Sequence, residues 1–313
     1  MSTSVLSEVV PHIMTDVNAA IDVYYNPFRG LFRAIGIDGK STTVYKPSNY
    51  PHMAPYHEGV VPLEIDPIMI QTKSYTYRDH VGLSWKDEGE SSTLANIARI
   101  QQIAQGHAAD AQKMLETSFL EAVNPDTIKA ENYLPWNKES KNSADDNTLR
   151  GISHNRIRSA IHQVMSTAGH IKPNTTWYVF LPFSLKPYID KDPAFYYSNS
   201  TTDIARTPQT IQAQQAQYNY KIEIVYLSDT AFSDNDSLWE DDRKVVRIVI
   251  VPSTAVVQGV WTPFGGAMYN MKLCQDYGSV LGYDGFSIES KFFTSFTLVR
   301  PDIAIWVGAR LTA

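Results

Sequence analysis

Residues 34–41, AIGIDGKS, hold the arrangement of residue types nearest to a chemical motif. Ala34, four spacers, Gly39-Lys40 and Ser41 fit the relaxed form of a phosphate-cradling loop. Such a loop binds a nucleotide when a strand leads in and a helix leads out, so that the helix's first amides face the anion. Here Thr42-Thr43-Val44-Tyr45 follows, a β-prone run that ends at Lys46-Pro47. A strand there offers no helix N-terminus. A turn at Asp38-Gly39 is therefore the preferred expectation, and a soluble α/β enzyme or nucleotide-binding protein using residues 34–41 is the alternative.

The other reactive residue types form no constellation. Of the eight histidines, His52 and His57 lie near Glu58, and His154 and His162 share a helical region. None has the spacing of two histidines four apart with a glutamate between them. The single cysteine, Cys274, can neither close an internal disulfide nor contribute to a Cys-rich zinc site, and is expected as a small buried hydrophobe. Gly278-Ser279 lacks the second glycine of a nucleophile elbow. Asp145-Asp146 and Asp241-Asp242 sit in polar runs and read as solvated surface, and the sequons at Asn174, Asn199 and Asn235 read as chance matches. No catalytic group, cofactor or metal is expected.

Elements of some kind must still organise these 313 residues, 43% of them hydrophobic and 19% charged, with a formal net charge of −6. That length suits two domains or one elaborate domain, and the apolar fraction supports a real core. No run reaches the roughly 20 apolar residues that span a bilayer. The opening MSTSVLSEVV has no basic leader, so secretion by a signal peptide is not expected. The acidic balance argues against tight binding to phosphate backbones but leaves room for weak contact through a local patch.

Along residues 1–30, Val5, Val9, Ile13, Val17 and Ile21 make an apolar stripe at helical spacing, interrupted by Pro11. They read either as a packed N-terminal helix or as an arm docked on a neighbour. Residues 35–90 are punctuated by Pro47, Pro51, Pro55, Pro62 and Pro67, which forbid a central helix, and are flanked by strand-like runs at 41–45, 68–77 and 81–85. A long hairpin leaving the body is one solution. About 20 residues per arm at about 3.3 Å each reach roughly 60 Å, against a radius of gyration of about 20 Å for a compact chain of this size. Such an arm needs a partner.

A helix is expected over residues 91–123, where Ile97, Ile100, Ala104, Ala108, Ala111, Leu115 and Phe119 step by three or four. Ser91 or Ser92 caps its start and Asn124-Pro125 stops it. At 1.5 Å per residue it is about 45–50 Å long. Residues 137–151 read as a linker. Beyond it come a helix after Ser153 with Ile157, Ala160, Ile161, Val164 and Ala168 on one face, a strand at 176–181, a glutamine-rich helix at 207–217 and a strand at 220–227. That alternation makes the region α/β. A doubly buried strand is expected at 245–251, a helix at 268–277, and two closing strands at 286–299 and 303–310 around Arg300-Pro301-Asp302.

Three segments then carry a resemblance: YHEGVVPLEIDPIMIQ at 56–71, the long helix, and FTSFTLVRPDIAIWVGARL at 293–311. Their order resembles that of tailed-bacteriophage major capsid proteins, whose α+β fold is of the Hong Kong 97 type and often finishes with an Arg-Pro-Asp turn and an apolar strand. The resemblance implies an N-terminal arm at 1–35, an extended β-hairpin loop at 36–80 and a peripheral domain at 81–150 and 286–313 with the long helix as its spine. It implies an α/β axial domain at 151–285.

It further implies a virion protein, made in the host cytoplasm, whose hexamers and pentamers close an icosahedral shell around double-stranded DNA. Its partners would be many copies of itself, a separate scaffold protein, a portal, decoration proteins and, weakly, the packaged DNA; no membrane is implied. Inter-subunit contacts would fall on Tyr45, Tyr50, Tyr56, His57, Glu58 and Ile68. Lys40, Lys46 and Lys73 lie where some relatives cross-link, but no acceptor matches, so that chemistry is not carried over. A tail or decoration protein is the remaining alternative.

The loop's composition suits such a role. Prolines and aromatic rings lose little entropy on docking, and the prolines block indiscriminate strand pairing at the loop's edges.

Overall fold

The computed structural model describes residues 27–37, 41–47, 65–71, 73–82, 90–134, 154–167, 175–189, 220–233, 238–240, 243–260, 269–276 and 285–311. The arm stripe (Val5 to Ile21), the linker and the glutamine-rich helix lie outside them. In chain order the strands are β1 (Arg33–Gly36), β2 (Ser41–Pro47), β3 (Ile65–Gln71) and β4 (Lys73–Gly82), followed by helix α1 (Glu90–Ala122) and β5 (Tyr133–Leu134). Helix α2 (His154–Thr167) precedes β6 (Thr175–Pro182), β7 (Tyr220–Leu227), β8 (Leu238–Glu240), β9 (Arg243–Pro252) and β10 (Val256–Val260). Strands β11 (Tyr269–Asp276), β12 (Gly285–Thr294), β13 (Phe296–Leu298) and β14 (Ile305–Leu311) complete the order.

The chain forms two compact units. One takes in residues 1–29, 35–115 and 259–295. In it β2 and β3 form an antiparallel ladder from Ser41 opposite Gln71 to Pro47 opposite Ile65. Pro67 sits inside β3 opposite Tyr45, a place a proline tolerates because this ladder has only two strands and hence only edges. Beside it is a three-stranded antiparallel sheet in the order β11-β12-β4.

The other unit takes in residues 30–34, 116–258 and 296–313, and is built on a sheet in the order β5-β14-β9-β6-β7, with β8 added to β9. Strands β6 and β7 are parallel, while β9 runs against both β6 and β14. Trp177 to Leu181 on β6 and Ile248 to Val251 on β9 are buried without interruption, as central strands covered on both faces require. On α2, Ile157, Ala160, Ile161 and Val164 are buried, the spacing of one apolar face.

An aromatic cluster fills this core. The Phe119 ring lies 4.5 Å from Phe180, 5.5 Å from Phe32 and 5.6 Å from Phe296, in tilted, stacked and edge-on geometry respectively. The end of α1 is tied in by the Trp306 indole, whose Nε1 donates to the Val123 carbonyl at 2.7 Å. After it, Asn124 accepts the Thr127 amide at 3.0 Å and caps a short turn that opens on Pro125. In the Arg300-Pro301-Asp302 turn the Arg300 guanidinium pairs with the Asp302 carboxylate, and the Asn132 side chain donates to the Asp302 carbonyl at 2.8 Å.

Two sequence expectations are corrected. Residues 268–277 were expected to form a helix; they form β11, paired with β12 from Tyr269 opposite Phe292 to Asp276 opposite Gly285. The run YNMKLCQD alternates apolar and polar residues at its start, the period of a strand, and an adjacent strand was waiting to receive it. The expected strand 286–299 is broken at Ser295: β12 serves β11 and β4, whereas β13 pairs with β10.

Candidate assembly interface

The phosphate-loop candidate resolves into strand on both sides. β1 ends at Gly36, the Ile37 amide donates to the Val260 carbonyl at 2.9 Å, and β2 begins at Ser41. No helix N-terminus follows the segment, so the amide cradle that a nucleotide needs is not built there. Asp38, Gly39 and Lys40 lie outside the described residues. β1 and β2 also belong to different sheets, so the segment connects sheets and does not close a hairpin of its own.

Histidine chemistry fares no better. His162 Nε2 lies 2.9 Å from the Tyr220 hydroxyl with the rings edge-on, a packing contact between α2 and β7. His154 opens α2, while His52, His57 and Glu58 lie outside the described residues. Cys274 is on β11 opposite Ser287. Among the described residues no group of three or more His, Cys, Asp or Glu side chains is placed to hold a metal ion, and no helix is long and apolar enough to cross a membrane.

The hairpin is where unusual surface appears. Its alternation puts Ile70 in the interior, fully buried, and leaves neighbouring Met69 59% exposed. Met69 lies opposite Thr43, which is also exposed. Ile68, half-buried, pairs with Val44. Of the six residues expected at subunit contacts, Tyr45 and Ile68 stand on the ladder, whereas Tyr50, Tyr56, His57 and Glu58 lie outside the described residues. Met69 was missed by sequence reasoning. The signal was the odd position in Ile68-Met69-Ile70, which a strand must turn away from its two neighbours.

A second exposed apolar residue is Phe183, 58% accessible, just after β6. Its ring meets Tyr226 edge-on at 6.0 Å, and the Lys186 ammonium sits 5.4 Å from the Phe183 ring and 5.7 Å from that of Tyr226. The Tyr178 hydroxyl is held above the ordinary tyrosine value of 10.0, chiefly by burial and then by the nearby Glu223 carboxylate. On the spine face Ala111, Leu115 and Phe119 are buried and Ala108 is half-buried; Ile97, Ile100 and Ala104 lie on the helix, but their side chains are outside the described set.

No family model and no curated protein matches the sequence. Solved structures do match. The capsid of the myovirus phage XM1 aligns at a TM-score of 0.56 and 12% identity over 90% of this chain and 90% of that one. The head structure of Helicobacter pylori bacteriophage KHP40 aligns at 0.55 and 11% over 89% and 87%. The chain has the Hong Kong 97-type capsid fold. A virus-like particle from Pyrococcus furiosus shares this fold at a TM-score of 0.52 and 9% identity, over 95% of this chain and 98% of that one. At such identities the Hong Kong 97-type likeness resides in the order and pairing of elements and not in retained side chains.

Proposed function

We propose that this chain is the major capsid subunit of a tailed bacteriophage, assembling as hexamers and pentamers into an icosahedral shell around double-stranded DNA. The observation that carries this reading is the end-to-end character of the fold likeness: about nine-tenths of this chain and of the phage XM1 capsid chain superpose. Residues 1–35 then act as the arm, 36–80 as the extended loop laid over a neighbour, 81–150 with 286–313 as the peripheral domain, and 151–285 as the axial domain. Tyr45, Tyr50, Tyr56, His57, Glu58 and Ile68, joined by Met69, supply the loop's contacts.

A shell subunit of this kind works by many modest contacts and uses neither catalytic group nor cofactor. Its partners are other copies, a separate scaffold protein, a portal and decoration proteins, met in the host cytoplasm before the virion is complete. The net charge of −6 keeps free subunits soluble and holds contact with packaged DNA weak. Purified protein, with scaffold if needed, is expected to give rings or closed shells in negative-stain images and sedimentation. A persistent monomer or dimer that turns over nucleoside triphosphates would overturn the proposal in favour of an enzyme.

A further inference from the structure

The root of the hairpin converges on one glycine. Gly259, near the end of β10, donates its amide to the Ser295 carbonyl at 2.9 Å, and the next residue, Val260, accepts the Ile37 amide at 2.9 Å. β10 is thus held from both sides at this point. A methyl group placed on Gly259 would overlap Ile37 Cδ1 outright, and would stand 2.9 Å from Ser295 Oγ and 3.0 Å from Ile70 Cγ2. Ile37 precedes the first leg of the hairpin, and Ile70 lies on its second leg. Both are buried.

Ile37 Cδ1 and Ser295 Oγ can give way by rotation about side-chain bonds. Ile70 Cγ2 hangs from a branched Cβ with restricted rotamers, so relieving it requires β3 itself to shift.

We propose that Gly259 is a positioning residue for the hairpin. The missing side chain is the slot that seats Ile70 and Ile37, and seating Ile70 inward is what turns Met69 and Thr43 outward. This rests on the capsid reading for its consequence, since an unseated hairpin would present the wrong face to a neighbouring copy.

The test compares Gly259→Ala, Gly259→Ala with Ile37→Val, and the parent chain. Hydrogen exchange at residues 41–47 and 65–71 is read on soluble subunits, and shell yield by sedimentation. Gly259→Ala is expected to keep the parent circular dichroism while hairpin amides exchange about 10- to 100-fold faster, the range that overpacking by one methyl produces. Shell yield should fall in parallel. Ile37→Val removes the overlapping methyl and should restore much of both.

Unchanged hairpin exchange in Gly259→Ala would overturn the proposal. So would general unfolding of that variant, which would make the slot a matter of the core, and so would failure of Ile37→Val to restore protection. If the parent chain forms no shells, the capsid reading fails, while the exchange comparison still decides the seating of the hairpin.

Discussion

At the scale of single residues, burial decides what each substitution does. Leu115 is fully buried on α1, so Leu115→Asp places a carboxylate where neither water nor a cation meets it. A loss of about 4 kcal/mol or more is expected, enough to abolish folding, and circular dichroism of the soluble fraction will register it. Tyr178 gives a pH-dependent counterpart. Because its folded-state value is raised above 10.0, the unfolded chain releases that proton first as pH rises, and the folded state retains it. Stability from this group is therefore complete below pH 10 and declines above it. The gap in melting temperature between the parent chain and Tyr178→Phe, followed from pH 9 to pH 11, should shift in favour of the variant. A constant gap across that range would refute the assignment.

At the scale of elements, what could be foreseen from sequence was what is encoded locally. α1 was expected at 91–123 and occupies Glu90–Ala122, because a serine pair at the start and Asn124-Pro125 at the end are signals carried by neighbours in sequence. β7, with Ile222, Ile224 and Tyr226 alternating, occupies Tyr220–Leu227 as expected. Lateral pairing is another matter. Nothing near Lys73 announces that its strand will lie against Thr294, since loop closure over that distance is rewarded only by the finished sheet. β11 was misjudged for the same reason: a short run of mixed period takes its conformation from a partner.

For the candidate interface, the prolines and tyrosines marked the right segment, but which faces point outward depended on register, which no local residue specifies. The hairpin's independence can be tested by replacing residues 48–64 with Asn-Gly, a turn suited to close Pro47 against Ile65. The variant should fold with the parent's circular dichroism and melting temperature, yet form no shells in negative-stain images. Normal shells from this variant would show that the segment is not the contact on which assembly depends.

At the scale of the whole molecule, assembly sets a short-ranged attraction against a long-ranged repulsion. Every copy carries a formal charge of −6, so bringing many together in a closed shell costs electrostatic work that grows with the number of neighbours. The attraction available on the hairpin is apolar, from Met69 and the half-buried Ile68, and depends little on salt. Screening should therefore help. The Debye length falls from about 30 Å at 0.01 M salt to about 10 Å at 0.1 M, below the distance between most charges on adjacent subunits. Raising salt over that interval is expected to lower the subunit concentration at which shells appear by several-fold, measured by light scattering. Met69→Ser should raise that concentration at every salt level without altering the slope, because it removes apolar area and leaves the charge unchanged. If added salt instead dissolves the shells, the subunits are joined by complementary charges, and the hairpin's apolar face is not what holds them.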